Sequence, residues 1–274
     1  MSGPHVGTFI ATKEHRRFIE FAEAVRKHRY IGLCYGAAGV GKTASARRYA
    51  HWDLAGPLIE EWKHQPRDPS EAKINAALAR SRTIFYTPTV RGTFRELRET
   101  VLSHSIRVTS CIDDYLHRDV KECRVVPYTR LVEMLIFDEA ERLSVTALEW
   151  IRDLFDRINV GVIFIGMPGM EKRLSRYPQL YSRVGFAHHY RALQGDELSF
   201  VLTRHWRKLG LPLDEADFTD TQAIAAIARI TGGNFRLLQR LFVQIERILK
   251  INGLSVITNE VVEAARSTLV IGTT

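Results

Sequence analysis

Hydrophobic and polar positions along the chain alternate between two periods. Residues Phe18, Phe21, Ala22 and Val25 recur at helical spacing between Lys13 and His28, and the apolar run Tyr30 to Tyr35 then reads as a buried strand. A glycine-rich turn follows, and then a helical segment from Thr43 to Ala50. Arg82 to Thr89, rich in β-branched and aromatic residues, predicts a second strand, with a helix over Phe94 to His104 behind it. Leu131 to Phe137 and Val160 to Ile165 are further strand candidates, separated by a helix around Ala147 to Ile158. Segments 56–81 and 105–130 mix charges, Pro and Cys without a clear period and are expected to be loops or short helices. Strands alternating with helices predict an α/β fold with a parallel sheet covered on both faces.

From Leu193 onward the pattern is helical only: Glu197 to Leu209, Thr221 to Ile230, Phe235 to Ile251 and Asn259 to Arg266. Gly210-Leu211-Pro212, Thr231-Gly232-Gly233 and Asn252-Gly253 punctuate these helices as turns. The expected organisation is an α/β domain over 1–192 and a small all-helical domain over 193–274.

The run Gly36-Ala37-Ala38-Gly39-Val40-Gly41-Lys42-Thr43 satisfies GxxxxGK[ST] between a strand and a helix, the context a phosphate-binding loop requires. Its glycines let successive N–H groups turn inward as an anion nest at a helix N-terminus. Lys42 is expected against the β- and γ-phosphates of ATP, with the Thr43 hydroxyl on Mg²⁺. Met134 to Phe137 is an apolar strand ending in Asp138-Glu139. Asp138 is placed to hold the metal shell and Glu139 to orient the attacking water.

Composition adds two constraints. The 274 residues carry 39 Lys and Arg against 31 Asp and Glu, a formal charge of +8. That excess fits either a polyanionic partner or a basic solvated surface. Cys34, Cys111 and Cys123 stand far apart with no CxxC pair, which argues against a disulfide framework or a zinc site. No apolar run approaches the roughly 20 residues of a membrane helix, and the start lacks a signal-peptide pattern. A cytoplasmic protein is expected.

With the phosphate loop and VEMLIFDEAERL in hand, the chain resembles the AAA+ superfamily of ATPases, and in particular the AAA+ regulators of DNA transposition of the TnsC, TniB and Mu B group. The resemblance runs from about Lys13 to Leu269. It implies that the C-terminal helices form a lid and that Gly232-Gly233-Asn234-Phe235-Arg236 is a GGNxR sensor motif, with Arg236 reading the γ-phosphate. It further implies an arginine finger before the last strand: Arg183, with Arg176 and Arg173 as alternates. One departure stands at the first sensor position after Val160 to Ile165, where the sequence reads Gly166-Met167-Pro168. A methionine cannot donate a hydrogen bond, so either hydrolysis is slow or a neighbouring polar group substitutes.

The function implied is an ATP-dependent regulator that binds double-stranded DNA without sequence preference and recruits a transposase, hydrolysis driving release. A homo-oligomer, ring or filament, would place ATP at subunit interfaces. Candidate DNA contacts are Arg91, Arg95, Arg107, Lys121, Arg124 and Arg130, each equally readable as a solvated charge. No room is seen for an appended winged helix. The competing readings are an AAA+ signalling or secretion switch with protein partners, and a helicase-like motor.

Overall fold

The computed structural model describes residues 9–66, 68–117, 131–214 and 216–269. Five strands, β1 (Ile31–Tyr35), β2 (Thr83–Tyr86), β3 (Met134–Phe137), β4 (Gly161–Gly166) and β5 (Val184–His189), form one sheet in the order β2-β3-β4-β1-β5, all parallel. The three central strands β3, β4 and β1 are almost entirely buried, which is why each reads as an unbroken apolar run. Strand β5 lies at one edge with burial alternating along its length, so no apolar run marks it, although the chain around Arg183 leads into it as expected.

Helices flank the strands: α1 (Lys13–His28), α2 (Lys42–Tyr49), α3 (Trp52–Glu61), α4 (Ala72–Ser81), α5 (Phe94–Tyr115), α6 (Val145–Ile158), and the short α7 (Met170–Leu174) and α8 (Pro178–Tyr181). Segment 56–81, expected to be loops or short helices, holds most of α3 and all of α4, and one reading is corrected: α5 runs eleven residues past His104, through Ser105 to Tyr115. Leu97, Val101, Val108, Cys111 and Ile112 face the core at helical spacing, but the buried His104, Ser105 and Asp113 among them blur the pattern. The Thr93 hydroxyl caps the helix by accepting from the Glu96 amide.

By contacts the described residues divide into two compact units, one of 17–36 with 42–190, the other of 9–16, 37–41 and 191–269. The second unit is built on α9 (Asp196–Lys208), α10 (Phe218–Thr231), α11 (Phe235–Asn252) and α12 (Asn259–Ser267). Its own core gathers Val201, Trp206, Ile227, Leu238, Leu241, Phe242, Ile245 and Val262. Asp217, Asn234 and Thr258 cap α10, α11 and α12 through their side chains. Among the described residues no helix is long and apolar enough to cross a membrane.

Candidate nucleotide site

Strand β1 delivers the chain into the loop 36–43, and α2 opens at Lys42. Gly39 and Gly41 adopt φ of +79° and +116°, a region that L side chains avoid, so the reversal depends on glycine there. Gly36 is required for space: a Cβ would meet the Tyr190 carbonyl oxygen at 2.2 Å. The Lys42 side chain is buried, and its ammonium donates to the Gly36 carbonyl at 2.6 Å, folding back across the loop. Such a curled loop with an inward ammonium fits a polyphosphate.

Parallel pairing of β3 with β2 and β4 carries Asp138 to the carboxyl end of the sheet, its amide donating to Tyr86 O. The Thr43 hydroxyl donates to Asp138 Oδ2 at 2.7 Å. Sequence placed both residues on one metal; ninety-five positions apart, they meet. Burial raises the Asp138 carboxyl above the usual range, and the Thr43 hydrogen bond opposes that shift. A buried carboxylate and a hydroxyl this close form a hard oxygen donor pair, which suits Mg²⁺. Among the described residues no group of three or more His, Cys, Asp and Glu gathers as a metal cluster, so water and phosphate oxygens would complete the shell.

Glu139 follows in the left-handed conformation, φ 49°, and its carboxylate pairs with Arg142. Arg142 also donates to Pro88 O at 3.0 Å, in the segment after β2. Beyond Glu139 the chain makes a single 3-10 turn, Ala140–Arg142, and Arg173 of α7 donates to the carbonyls of Ala140, Glu141 and the following Leu143. Met167 lies 41% exposed at the end of β4 and brings no donor.

In the helical unit, Asn234 Nδ2 donates to Ala38 O at 2.6 Å, and the Arg236 amide donates to Gly39 O at 3.0 Å. The tip of the loop is thus tied to the first turn of α11. Asn234 is the specified asparagine of the GGNxR motif, to which the sequence assigned no role of its own; its signal is the side-chain cap that an Asn before a helix supplies. The Arg236 side chain is exposed. Arg183, the first-choice finger, is engaged with Asp156 through Nε at 2.6 Å and Nη2 at 2.8 Å, a two-pronged pair that lowers the Asp156 carboxyl's pKa.

The DNA candidates are scattered. Arg91 is exposed in the loop before α5, and Arg95 is exposed on α5 with Glu99 2.8 Å away. Arg107 instead donates to Ile59 O and Glu60 O at the end of α3 and lies over the Trp62 ring. Lys121, Arg124 and Arg130 lie outside the described residues.

Residues 25–174 match the model of a family described as AAA domain. A Staphylococcus aureus protein described as a potential ATP-binding protein is 44% identical over 269 residues, which is 96% of this chain and 97% of that one. Among solved structures, Cdc6p from Pyrobaculum aerophilum superposes with a TM-score of 0.61 at 16% identity, over all of this chain and 71% of that one. The Aeropyrum pernix ORC2 protein gives 0.58 at 12% identity, again over all of this chain and 72% of that one. The Thermotoga maritima RuvB Holliday junction branch migration motor gives 0.54 at 15%, over 94% and 69%. At these identities the structures show a shared fold. The family match over the phosphate loop and both acidic residues, together with a close full-length relative, establishes that this chain belongs to the AAA domain family.

Proposed function

We propose that the protein binds and hydrolyses ATP with Mg²⁺, and that nucleotide state controls its assembly on duplex DNA as a regulator of transposition. The observation that carries the ATPase reading is the junction of Thr43 and Asp138 beside the buried Lys42. In this reading Lys42 exchanges its bond to Gly36 O for phosphate oxygens. Thr43 and Asp138 would hold Mg²⁺, which would supply neutralisation of phosphate charge. Glu139 orients the attacking water, and doing so requires it to leave Arg142. Arg236 reads the γ-phosphate from a helix whose start already holds the loop. Hydrolysis is slow because Met167 offers no hydrogen bond at the first sensor position.

The finger role stays with Arg183, which must exchange Asp156 for a neighbouring subunit's nucleotide in a ring or filament. The DNA reading rests on the net charge of +8, on exposed Arg91 and Arg95, and on fold neighbours described as a branch migration motor and as Cdc6 and ORC2 proteins. Arg107 is left out, because its guanidinium is bonded to α3. A chain tracking phosphates in this way has no need to read bases. The transposase is the partner implied by the resemblance of VEMLIFDEAERL to transposition regulators.

The test is duplex DNA binding and ATPase rate across a salt series, with electron microscopy in a non-hydrolysable analogue. Lys42→Ala is expected to lose ATP-dependent DNA binding, and Glu139→Gln to remain trapped on DNA. DNA binding by Lys42→Ala without ATP at the wild-type level would overturn the coupling. Absence of salt-sensitive binding by the wild type would favour a protein-directed switch.

A further inference from the structure

Arg173 lies on α7, directly after β4, and its guanidinium reaches the turn that follows β3. One terminal nitrogen donates to Glu141 O and, at 3.5 Å, to Ala140 O; the other donates to Leu143 O. Among the described residues it has no carboxylate partner, although it is only partly exposed. A side chain with ordinary surface duties pairs with an acid or with water. This one is wholly directed at backbone carbonyls thirty or more positions away.

Ala140 and Glu141 lie in the single 3-10 turn Ala140–Arg142 and Leu143 is its C-cap; Ala140 O already accepts from the Leu143 amide at 3.1 Å, so Arg173 holds the turn chiefly through the Glu141 and Leu143 carbonyls. Immediately before it, Glu139 is held in the left-handed region, a conformation that persists only where its surroundings enforce it. At its other end the turn passes into α6 through the Ser144 cap. A shift of the turn's backbone therefore moves the Glu139 carboxylate with it.

We infer that Arg173 is a positioning residue, whose planar fork clamps the turn after β3 and fixes where Glu139 can place a water. This rests on the reading of Glu139 given above. It also gives Arg173 a role within its own chain, in place of the intersubunit finger for which sequence made it an alternate. The fork matters: two nitrogens in one plane span carbonyls of residues 140, 141 and 143, whereas a lysine ammonium is a single point donor.

The experiment compares Arg173→Met and Arg173→Lys with the wild type by hydrogen exchange, nucleotide affinity and steady-state ATPase. Exchange is expected to accelerate in 138–143 and stay unchanged in 31–43, in both variants. With kcat expected to fall about 10- to 100-fold, affinity for a fluorescent ATP analogue should stay within about threefold of wild type. The Lys variant keeps the charge and stem, so it reports on the fork even if the Met variant fails to fold. Unchanged exchange at 138–143 in the Lys variant would overturn the inference, as would affinity and kcat falling together. Recovery of activity on mixing Arg173→Lys with Glu139→Gln subunits would show a finger acting between subunits and would also overturn it. A wild type without ATPase activity would sink the reading of Glu139, while exchange would still decide whether Arg173 holds the turn.

Discussion

Asn234 and Ala38, nearly two hundred positions apart, are joined by a hydrogen bond of 2.6 Å from the Asn234 amide to the Ala38 carbonyl. The same side chain's Oδ1 accepts from the amides of Arg236 and Leu237 as the cap of α11. One residue thus serves both the helix and the phosphate loop. Asn234→Ala is expected to cost about 1 kcal/mol from the lost cap, while the exposed Ala38 carbonyl turns to water at little cost. Asn234→Asp should keep the cap and lose the donation to Ala38. ATP affinity that falls in both variants, with stability falling chiefly in the alanine one, would separate the two contacts by calorimetry and chemical unfolding.

Thr43 and Asp138 set function against stability. Thr43→Val removes one of the hydrogen bonds to the buried Asp138 carboxylate, which keeps that from the Glu139 amide, and is expected to lower unliganded stability by about 1 kcal/mol. Asp138→Asn keeps an acceptor for Thr43 and removes the cost of burying charge, so it should be neutral or stabilising. It should nevertheless abolish the magnesium-dependent gain in melting temperature with ATP. Unfolding curves with and without ATP and Mg²⁺ read both effects.

Two adjacent glycines should respond unequally. Gly232 and Gly233 both have positive φ, +54° and +72°. A Cβ at 232 meets nothing within 4 Å, whereas one at 233 would lie 2.0 Å from the Leu193 carbonyl oxygen. Gly232→Ala should cost about 1–2 kcal/mol, the left-handed penalty alone. Gly233→Ala must also displace the 193 backbone, whose amide bonds to Gly233 O, and should cost clearly more in urea unfolding.

Arg183 is held by Asp156, and the pair is part-exposed, with 30% and 34% of the side chains accessible. Asp156→Asn should change stability by no more than about 1 kcal/mol. If Arg183 is the finger, that variant retains or gains ATPase activity in the assembled protein. Arg183→Ala should lose about 10³-fold or more while still retaining ATP. Equal losses in the two variants would point to the pair's structural role instead. Rates at several protein concentrations, with nucleotide retention measured by filtration, distinguish these outcomes.

His104 should make the sheet unit acid-sensitive. It is buried against Trp52, with Nδ1 unbonded among the described residues, and burial, with Arg107 nearby, lowers its pKa to about 4. Because the folded value lies below the unfolded one, the unfolded chain binds the proton first. Stability present in full above about pH 6.5 is therefore lost progressively down to about pH 4. The shift corresponds to at most about 3 kcal/mol. His104→Phe should flatten this part of the pH profile in urea titrations at pH 7, 5.5 and 4.5.

What the sequence by itself determined is local. Central strands buried on both faces are continuous apolar runs, and the phosphate loop and the turns after α10 and α11 carry glycine at positive φ, so β1, β3, β4, the phosphate loop and the four C-terminal helices could be read within a few residues. Where burial alternates, as in β5, or where polar groups are buried, as along α5 beyond His104, a one-dimensional pattern loses its contrast. Tertiary structure alone decided the partners. It brought Thr43 to Asp138, engaged Arg107 with α3 and Arg183 with Asp156, and turned Arg173 onto the carbonyls beyond Glu139. The physical reason is that an arginine's role depends on which acceptors lie within its reach of a few ångströms, and those acceptors come from chain segments that only folding makes neighbours.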